Sequence, residues 1–371
     1  MKSYHLTRIP LNEIDEAEFH SFPDKTVFTT KAWLSFVEEE TKARDFILRI
    51  SDDDGALIGY FSSFIILKFG IRILGSPFAG WGTCFMGLDL FDRSNQFEII
   101  KNITEYAMKT EHVMYIEIID RNISVAAAEA HGIKAYPVGT LQLDINKDDE
   151  GLFKQMKTDC RNFIRQFSRR GAKLEFAEPN EEFAKDYYDE LKDVFAKQGM
   201  VPTYSLEKVN CLLRNLKDSG ELICIRVRNP EGEPIATSLF LGFNKTFFFW
   251  GGASLRPQQH YRPNEFMIWT AIQYWRDSGC EVFDMVGIRD YKRKFGSHEE
   301  YYARMVFSRY SILIKMRDFA KKIYFALLKV RGKLKRKKIN LSRNDNSNKK
   351  VRRSGENTVQ EPVQRDENCC N

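Results

Sequence analysis

Arg289, Tyr291, Lys292, Lys294 and Phe295 crowd three cations and two rings into seven residues. Guanidinium and ammonium groups at such spacing hold anionic ligands, and flanking rings keep water from them. Just before this run Val282, Phe283, Met285 and Val286 read as a short buried strand that contains Asp284 and ends at Gly287. Sheets of the α/β class place ligand chemistry past the carboxyl ends of their strands, so the cationic loop stands where an anion is expected to bind.

A helix must deliver the chain to that strand. Asn264 is placed to cap a helix that begins at Glu265, and Met267, Ile268, Ala271, Ile272 and Trp275 recur at helical spacing until Gly279 stops it. Helix, buried strand and cationic loop then follow one another without a spacer.

The order Tyr261, Pro263, Asn264, then Trp269, then Asp284 and Gly287, then Tyr291, Lys292, Phe295 and Gly296 resembles the FemAB-like branch of the GNAT acyltransferase superfamily. In that branch a Tyr-x-Pro-Asn helix start, a Trp in the helix, a strand Asp followed by Gly, and an aromatic-Lys-x-x-Phe-Gly close recur in this order. Tyr291 stands where the family usually has Phe. The resemblance covers most of the chain to about Arg309, and it implies a transferase that needs no covalent nucleophile. It makes Lys292 the source of positive charge for an oxyanion or phosphate, and Asp284 the group that orients the amine or accepts its proton. It also places Gly251 and Gly252 where GNAT sheets splay to admit the acyl carbonyl. Without the resemblance, Asp284 reads as closing the turn into Gly287, and Lys292 and Lys294 as surface charges.

An internal repeat supports a doubled architecture. Arg49 to Gly59 aligns with Arg226 to Ala236, each a strand, an acidic turn with Gly and a second strand. The first is followed by a helix near Asn95 to Lys109, a strand Met114 to Ile119, a helix near Ser124 to Ala130 and a strand Leu141 to Ile145. The second is followed by a strand Thr246 to Trp250, the capped helix and the strand around Phe283. The expected fold is α/β with mixed sheets, as two tandem GNAT-like domains over 1–150 and 151–310.

Between the halves, Phe153 to Gly171 is expected as one helix carrying Met156, Cys160, Phe163, Ile164 and Phe167 on one stripe. Arg161 and Arg165, four residues apart, could grip a diphosphate or carboxylate, and Arg161, Ile164, Arg165 and Gly171 match a pattern of the resembling family. A helix solvated through its arginines is the plainer alternative. Phe28 and Trp33 resemble the family's early aromatic pair, though an aromatic pair at that spacing is more often core. In the glycine-rich run Gly75 to Gly82, backbone can approach a ligand, with Trp81 as a stacking wall and Gly82 beside it; a tight turn explains the run equally. His260 carries no assignment.

Charge is unevenly spread. The chain holds 57 Lys and Arg against 51 Asp and Glu, yet sixteen of the basic residues lie between Lys315 and Arg353 beside only Asp318 and Asp345. Ile312, Met316, Phe319, Ile323, Leu327, Val330 and Leu334 make 311–339 a basic amphipathic helix. Either residues 312–338 lie on an anionic membrane surface or their apolar stripe packs on the second domain. Residues 340–371 read as a disordered tail. No apolar run spans a bilayer and no leader is visible, so the expectation is cytoplasmic, peripheral at the inner face of the membrane. The scattered cysteines fit reduced thiols, and no metal site is expected.

The donor is expected to be diffusible rather than a bound cofactor: acetyl-CoA, another acyl-CoA, or aminoacyl-tRNA. The interval Ala253 to Pro263 has no glycine, and so lacks the pyrophosphate loop of acetyl-CoA users. A tRNA donor would also find the basic tail. The function expected is acyl or aminoacyl transfer to an amine of a cell-envelope precursor, peptidoglycan or polysaccharide, presented as an anionic nucleotide- or lipid-linked species. The alternative is a noncatalytic membrane-surface scaffold on a duplicated fold.

Overall fold

Asp52 and Asn229 start the two repeated turns in the same way. Each N–H donates four residues ahead, to Ala56 and Glu233, and each carbonyl accepts from a glycine three residues on, Gly55 and Gly232. Both glycines have positive φ, as this closure requires. The structure, a computed structural model, describes residues 4–196 and 200–310, within a unit that runs from Met1 to Leu313. The expected basic helix at 311–339 and the tail at 340–371 lie outside the described residues.

The first series of elements is β1 (His5–Ile9), α1 (Glu16–Phe19), α2 (Lys31–Thr41), β2 (Arg44–Ser51), β3 (Leu57–Lys68), β4 (Ile71–Ser76), β5 (Leu88–Leu90), α3 (Gln96–Thr110), β6 (Tyr115–Asp120), α4 (Val125–Ala130) and β7 (Ala135–Asp144). The second is α5 (Asp149–Gln155), α6 (Thr158–Phe167), β8 (Lys173–Ala177), α7 (Glu181–Ala196), α8 (Leu206–Leu216), β9 (Leu222–Arg228), β10 (Pro234–Phe243), β11 (Thr246–Ser254), α9 (Pro263–Asp277), β12 (Val282–Asp284) and β13 (His298–Ser308). The fold is mixed α/β. Among the described residues the thirteen strands form one sheet in the order β1-β2-β3-β4-β6-β13-β7-β12-β11-β10-β9-β8, with β5 on β3.

Closing strands are exchanged between the series. β13 inserts between β6 and β7, antiparallel to both, while β7 pairs with β12 through Gln142 and Asp284. A cut between residues 150 and 151 therefore falls in the first turn of α5 and leaves each side holding a strand of the other's ladder.

Helices cover both faces. Under α6 and α9, Met267, Ile268, Ile272 and Trp275 pack with Phe240, Phe247 and Phe283. On the opposite face α2 and α8 bury Trp33, Phe36 and Leu212 against Leu241 and Phe248. The expected single helix from Phe153 is two helices. Asp148 caps α5 by accepting from Gly151, and Met156 turns extended with ψ 148°. The N–H of Lys157 then donates to the carbonyl of Lys294, so the break locks the helix pair to the cationic loop.

Candidate active site

β11 and β12 run parallel only through Thr246–Val282, Phe247–Phe283 and Phe248–Asp284. β12 stops there, whereas β11 continues to Ser254 and shifts register against β10 between Leu239 and Phe240, which leaves Trp250 as the extra residue of a bulge. The two strands thus part at Phe249, and the gap is bordered by the Asp284–Gly287 turn on one side and Trp250 to Gly252 on the other.

Asp284 ends β12 with 0 % exposure. Its Oδ1 accepts from Thr140 Oγ1 at 2.5 Å and from the N–H of Val286 at 2.8 Å; its Oδ2 accepts from Gln142 Nε2 at 3.1 Å and Tyr302 at 3.4 Å. Burial raises its pKa, and these donors partly offset that. A carboxylate so surrounded has little left for a substrate amine. What it does hold is the backbone of Val286, a β-branched residue at φ +58°, a conformation such residues rarely adopt.

The fixed turn serves Lys292. The following 3₁₀ turn, Asp290–Phe295, brings Lys292 back over it, 5 % exposed, with Nζ donating to the carbonyls of Met285 and Val286, the latter at 2.6 Å. An ammonium has three N–H groups, so one remains for another acceptor. Phe249, the residue at which the strands part, lies 5.5 Å from Nζ. Burial lowers the pKa of Lys292 to about 8, against the opposing pull of Asp284. Cys84, from the loop after β4, is close enough to both groups to feel their charge, and burial keeps its thiol pKa well above normal.

On the other side of the gap Gly251 is required. A Cβ there would lie 2.3 Å from the hydroxyl of Tyr187, which in turn meets the hydroxyl of Tyr204 at 2.5 Å. The Tyr204 ring packs 5.5 Å from Trp250, and Gly82 lies against the same indole, its Cβ position 3.1 Å from Nε1. Trp81 follows as part of that loop, its carbonyl held by Lys208 at 3.1 Å. Gly82, Trp81 and Gly251 are therefore neighbours through Trp250, as Asp284 and Lys292 are through Val286.

Other expected site residues face elsewhere. Lys294 pairs with Glu265 at 2.5 Å under α9. Arg161 directs its guanidinium to the carbonyls of Phe153 and Met156 and the hydroxyl of Thr158, closing the end of α5. Arg165 is exposed over the Phe153 ring. The pairing of Arg161 and Arg165 as an anion clamp is thus corrected, because Arg161 already satisfies helix-end carbonyls. Asn264 is not the cap of α9: Arg262, at φ +60°, occupies that place, Pro263 begins the helix, and Asn264 donates to Ser254 Oγ at 3.1 Å. Tyr261 stacks beside His260, and Tyr291 is half exposed. Phe295 is fully buried, and a Cβ on Gly296 would lie 2.6 Å from the carbonyl of Gln155, so the Phe-Gly close serves packing. Among the described residues no cluster of three or more His, Cys, Asp or Glu could hold a metal.

Tyr187, Tyr204 and Trp250 escaped the sequence reading, as did Glu190. Glu190, 3 % exposed, accepts from Thr237 at 2.6 Å, has no partner for Oε1 among the described residues, and is driven by burial to a pKa of about 8. The signal was present: Phe183, Tyr187, Glu190 and Leu191 share the inner stripe of α7, and an acid on an apolar stripe is unusual.

The region has counterparts among known proteins. Residues 154–294 match the acetyltransferase (GNAT) domain family. The described fold is similar to that of FemX, with a TM-score of 0.66 at 15 % identity over 81 % of this chain and 96 % of that one. It is also similar to a conserved protein of unknown function from Bacteroides thetaiotaomicron VPI-5482, with a TM-score of 0.51 at 13 % identity over 82 % of this chain and 100 % of that one. No curated protein matches the sequence. The chain therefore has a FemAB-like GNAT fold, in agreement with the motifs from Tyr261 to Gly296.

Proposed function

We propose that the protein is an acyl- or aminoacyltransferase that forms an amide on an amino group of a cell-envelope precursor, peptidoglycan or polysaccharide, at the cytoplasmic face of the membrane. The observation that carries the reading is the parting of β11 and β12 at Phe249 beside the one N–H of Lys292 that faces no described acceptor. An acyl carbonyl in that gap would turn its oxygen toward Lys292. The amine nitrogen attacks the acyl carbon, the oxyanion is met by the ammonium, and collapse breaks the ester or thioester bond while the leaving oxygen or sulfur takes the proton lost by nitrogen. The acceptor is read as a nucleotide- or lipid-linked anion lying between the Trp81–Gly82 loop and the Tyr187–Tyr204 pair, with residues 1–150 and 151–310 as the two halves of the cleft.

For the donor, the start of α9 matters. A diphosphate docks on free N–H groups at a helix N-terminus, but Pro263 has none to offer, and in the first turn Glu265 already takes up the ammonium of Lys294. The reading therefore favours a donor gripped otherwise than by this helix, aminoacyl-tRNA or an acyl-CoA held from the first half. Among the described residues no helix is long and apolar enough to cross a membrane.

The test is transfer by the purified full-length chain from radiolabelled acetyl-CoA or charged tRNA to nucleotide- and lipid-linked precursors. Label in an amide, lost in Lys292→Met with folding intact, is expected. Absence of transfer beside an active control enzyme would favour the scaffold reading.

A further inference from the structure

Phe69 is held in a way that neither burial nor backbone preference explains. It lies at the tip of the β3–β4 hairpin, where Lys68 pairs with Ile71 and the two residues between, Phe69 and Gly70, have φ of +52° and +74°. Such a turn favours Asn-Gly, and a bulky side chain in its first central position is unfavourable. The side chain gains little burial in return: Phe69 is 92 % exposed, with only the neighbouring Lys68 Nζ recorded over its ring at 6.0 Å, and Leu67, two residues earlier, is 71 % exposed.

Charge surrounds this apolar tip. Lys68 and Arg72 flank it, both exposed, and neither forms an ion pair among the described residues; Arg72 donates only to the carbonyl of Glu111. Arg44 stands opposite Ile65 one strand away, and Lys109 lies in the last turn of α3. The local acids are already engaged, Glu111 by Arg8 and Arg44 and Glu105 by Lys109.

We infer that the β3–β4 hairpin is a membrane anchor, with Phe69 and Leu67 inserting among the acyl chains of an anionic bilayer while Lys68 and Arg72 meet its phosphates. Two side chains bury roughly 300–400 Å², well short of the roughly 800 Å² per partner of a stable protein interface. An apolar tip with cationic flanks is sufficient for interfacial binding. The hairpin is a different segment of the sequence from 312–338, and the inference does not depend on the proposed reaction.

Co-sedimentation of the full-length chain with phosphatidylglycerol and phosphatidylcholine vesicles at low salt tests it. Wild type is expected to bind the anionic vesicles, and Leu67→Ser/Phe69→Asn to bind at least tenfold more weakly. Residues 312–338 are common to both chains, so the difference reads the hairpin alone. Phe69→Asn should leave the thermal midpoint unchanged or raised, since Asn-Gly suits the turn, which separates lost binding from lost folding. Phe69→Trp should gain blue-shifted emission on vesicles and be quenched by brominated lipid. Equal binding by wild type and the double variant, no binding by wild type, or an unquenched Trp would each overturn the anchor. So would tip-dependent self-association of the chain without vesicles.

Discussion

Lys292 is held by the carbonyl of Val286, 2.6 Å from Nζ, and Val286 is held at φ +58° by Asp284. The ammonium is thus aimed by a strained turn rather than by a carboxylate partner. Replacing Val286 by Gly removes strain of about 1–3 kcal/mol, partly offset by the greater freedom of Gly in the unfolded chain. Val286 also packs against the core, so Val286→Gly should change stability by no more than about 1 kcal/mol while lowering kcat, as denaturation and transfer rates measured on one preparation will show.

Asp284→Ala should not behave as the loss of a simple catalytic base. It strips partners from Thr140, Gln142, the N–H of Val286 and Tyr302, and an orphaned buried donor costs about 1–3 kcal/mol. A large drop in the thermal midpoint alongside lost activity is expected. Full stability with lost activity would return Asp284 to direct chemistry.

The pH dependence of transfer follows from Lys292. Its pKa is lowered to about 8 by burial, so the positive charge offered to an oxyanion is present below that pH and lost above it. The rate should fall above about pH 8 with one descending limb, and Lys292→Met should abolish both rate and limb. A rate that climbs through the same range would make Lys292 a base.

Glu190 gives a stability prediction with the opposite chemistry. Its folded pKa, raised by burial to about 8, lies above the ordinary carboxylic value of 4.5, so the folded state binds the proton more tightly. Stability from this group is complete below about pH 4.5 and is lost as pH rises toward 8. Glu190→Gln keeps the shape without the charge and should stabilise the protein at pH 9, on the order of 3 kcal/mol, with little effect at pH 4. Denaturation at the two pH values measures the difference.

Gly251→Ala would drive a methyl into the Tyr187 hydroxyl, a loss of roughly 1–3 kcal/mol. Tyr187→Phe in the same chain should recover part of it by removing the atom struck. A double-mutant cycle with no coupling would show that the two do not touch.

Sequence reading reached those parts of the molecule that local pattern controls. Met267, Ile268, Ala271, Ile272 and Trp275 are all buried on α9, because helical period reports a face directly. The paired hairpins were legible through Gly55 and Gly232. Strand partners were not: nothing local in Ala303–Ser308 says that it will lie against Tyr115–Asp120, since pairing across the sheet depends on what every other strand leaves open. Side-chain saturation was equally hidden. Asp284 and Arg161 have the residue types of catalysis and anion binding, yet Thr140, Tyr302 and the end of α5 reach them only in three dimensions.

The insertion of β13 between β6 and β7 also sets a timetable for biosynthesis. β6 and β7 emerge from the ribosome long before residues 298–308, and until then each presents an unpaired edge that β13 will cover. Open edges recruit other chains, so the nascent protein passes through a long interval of vulnerability to aggregation, and loss of the final strand would leave even the earliest-made portion unfinished.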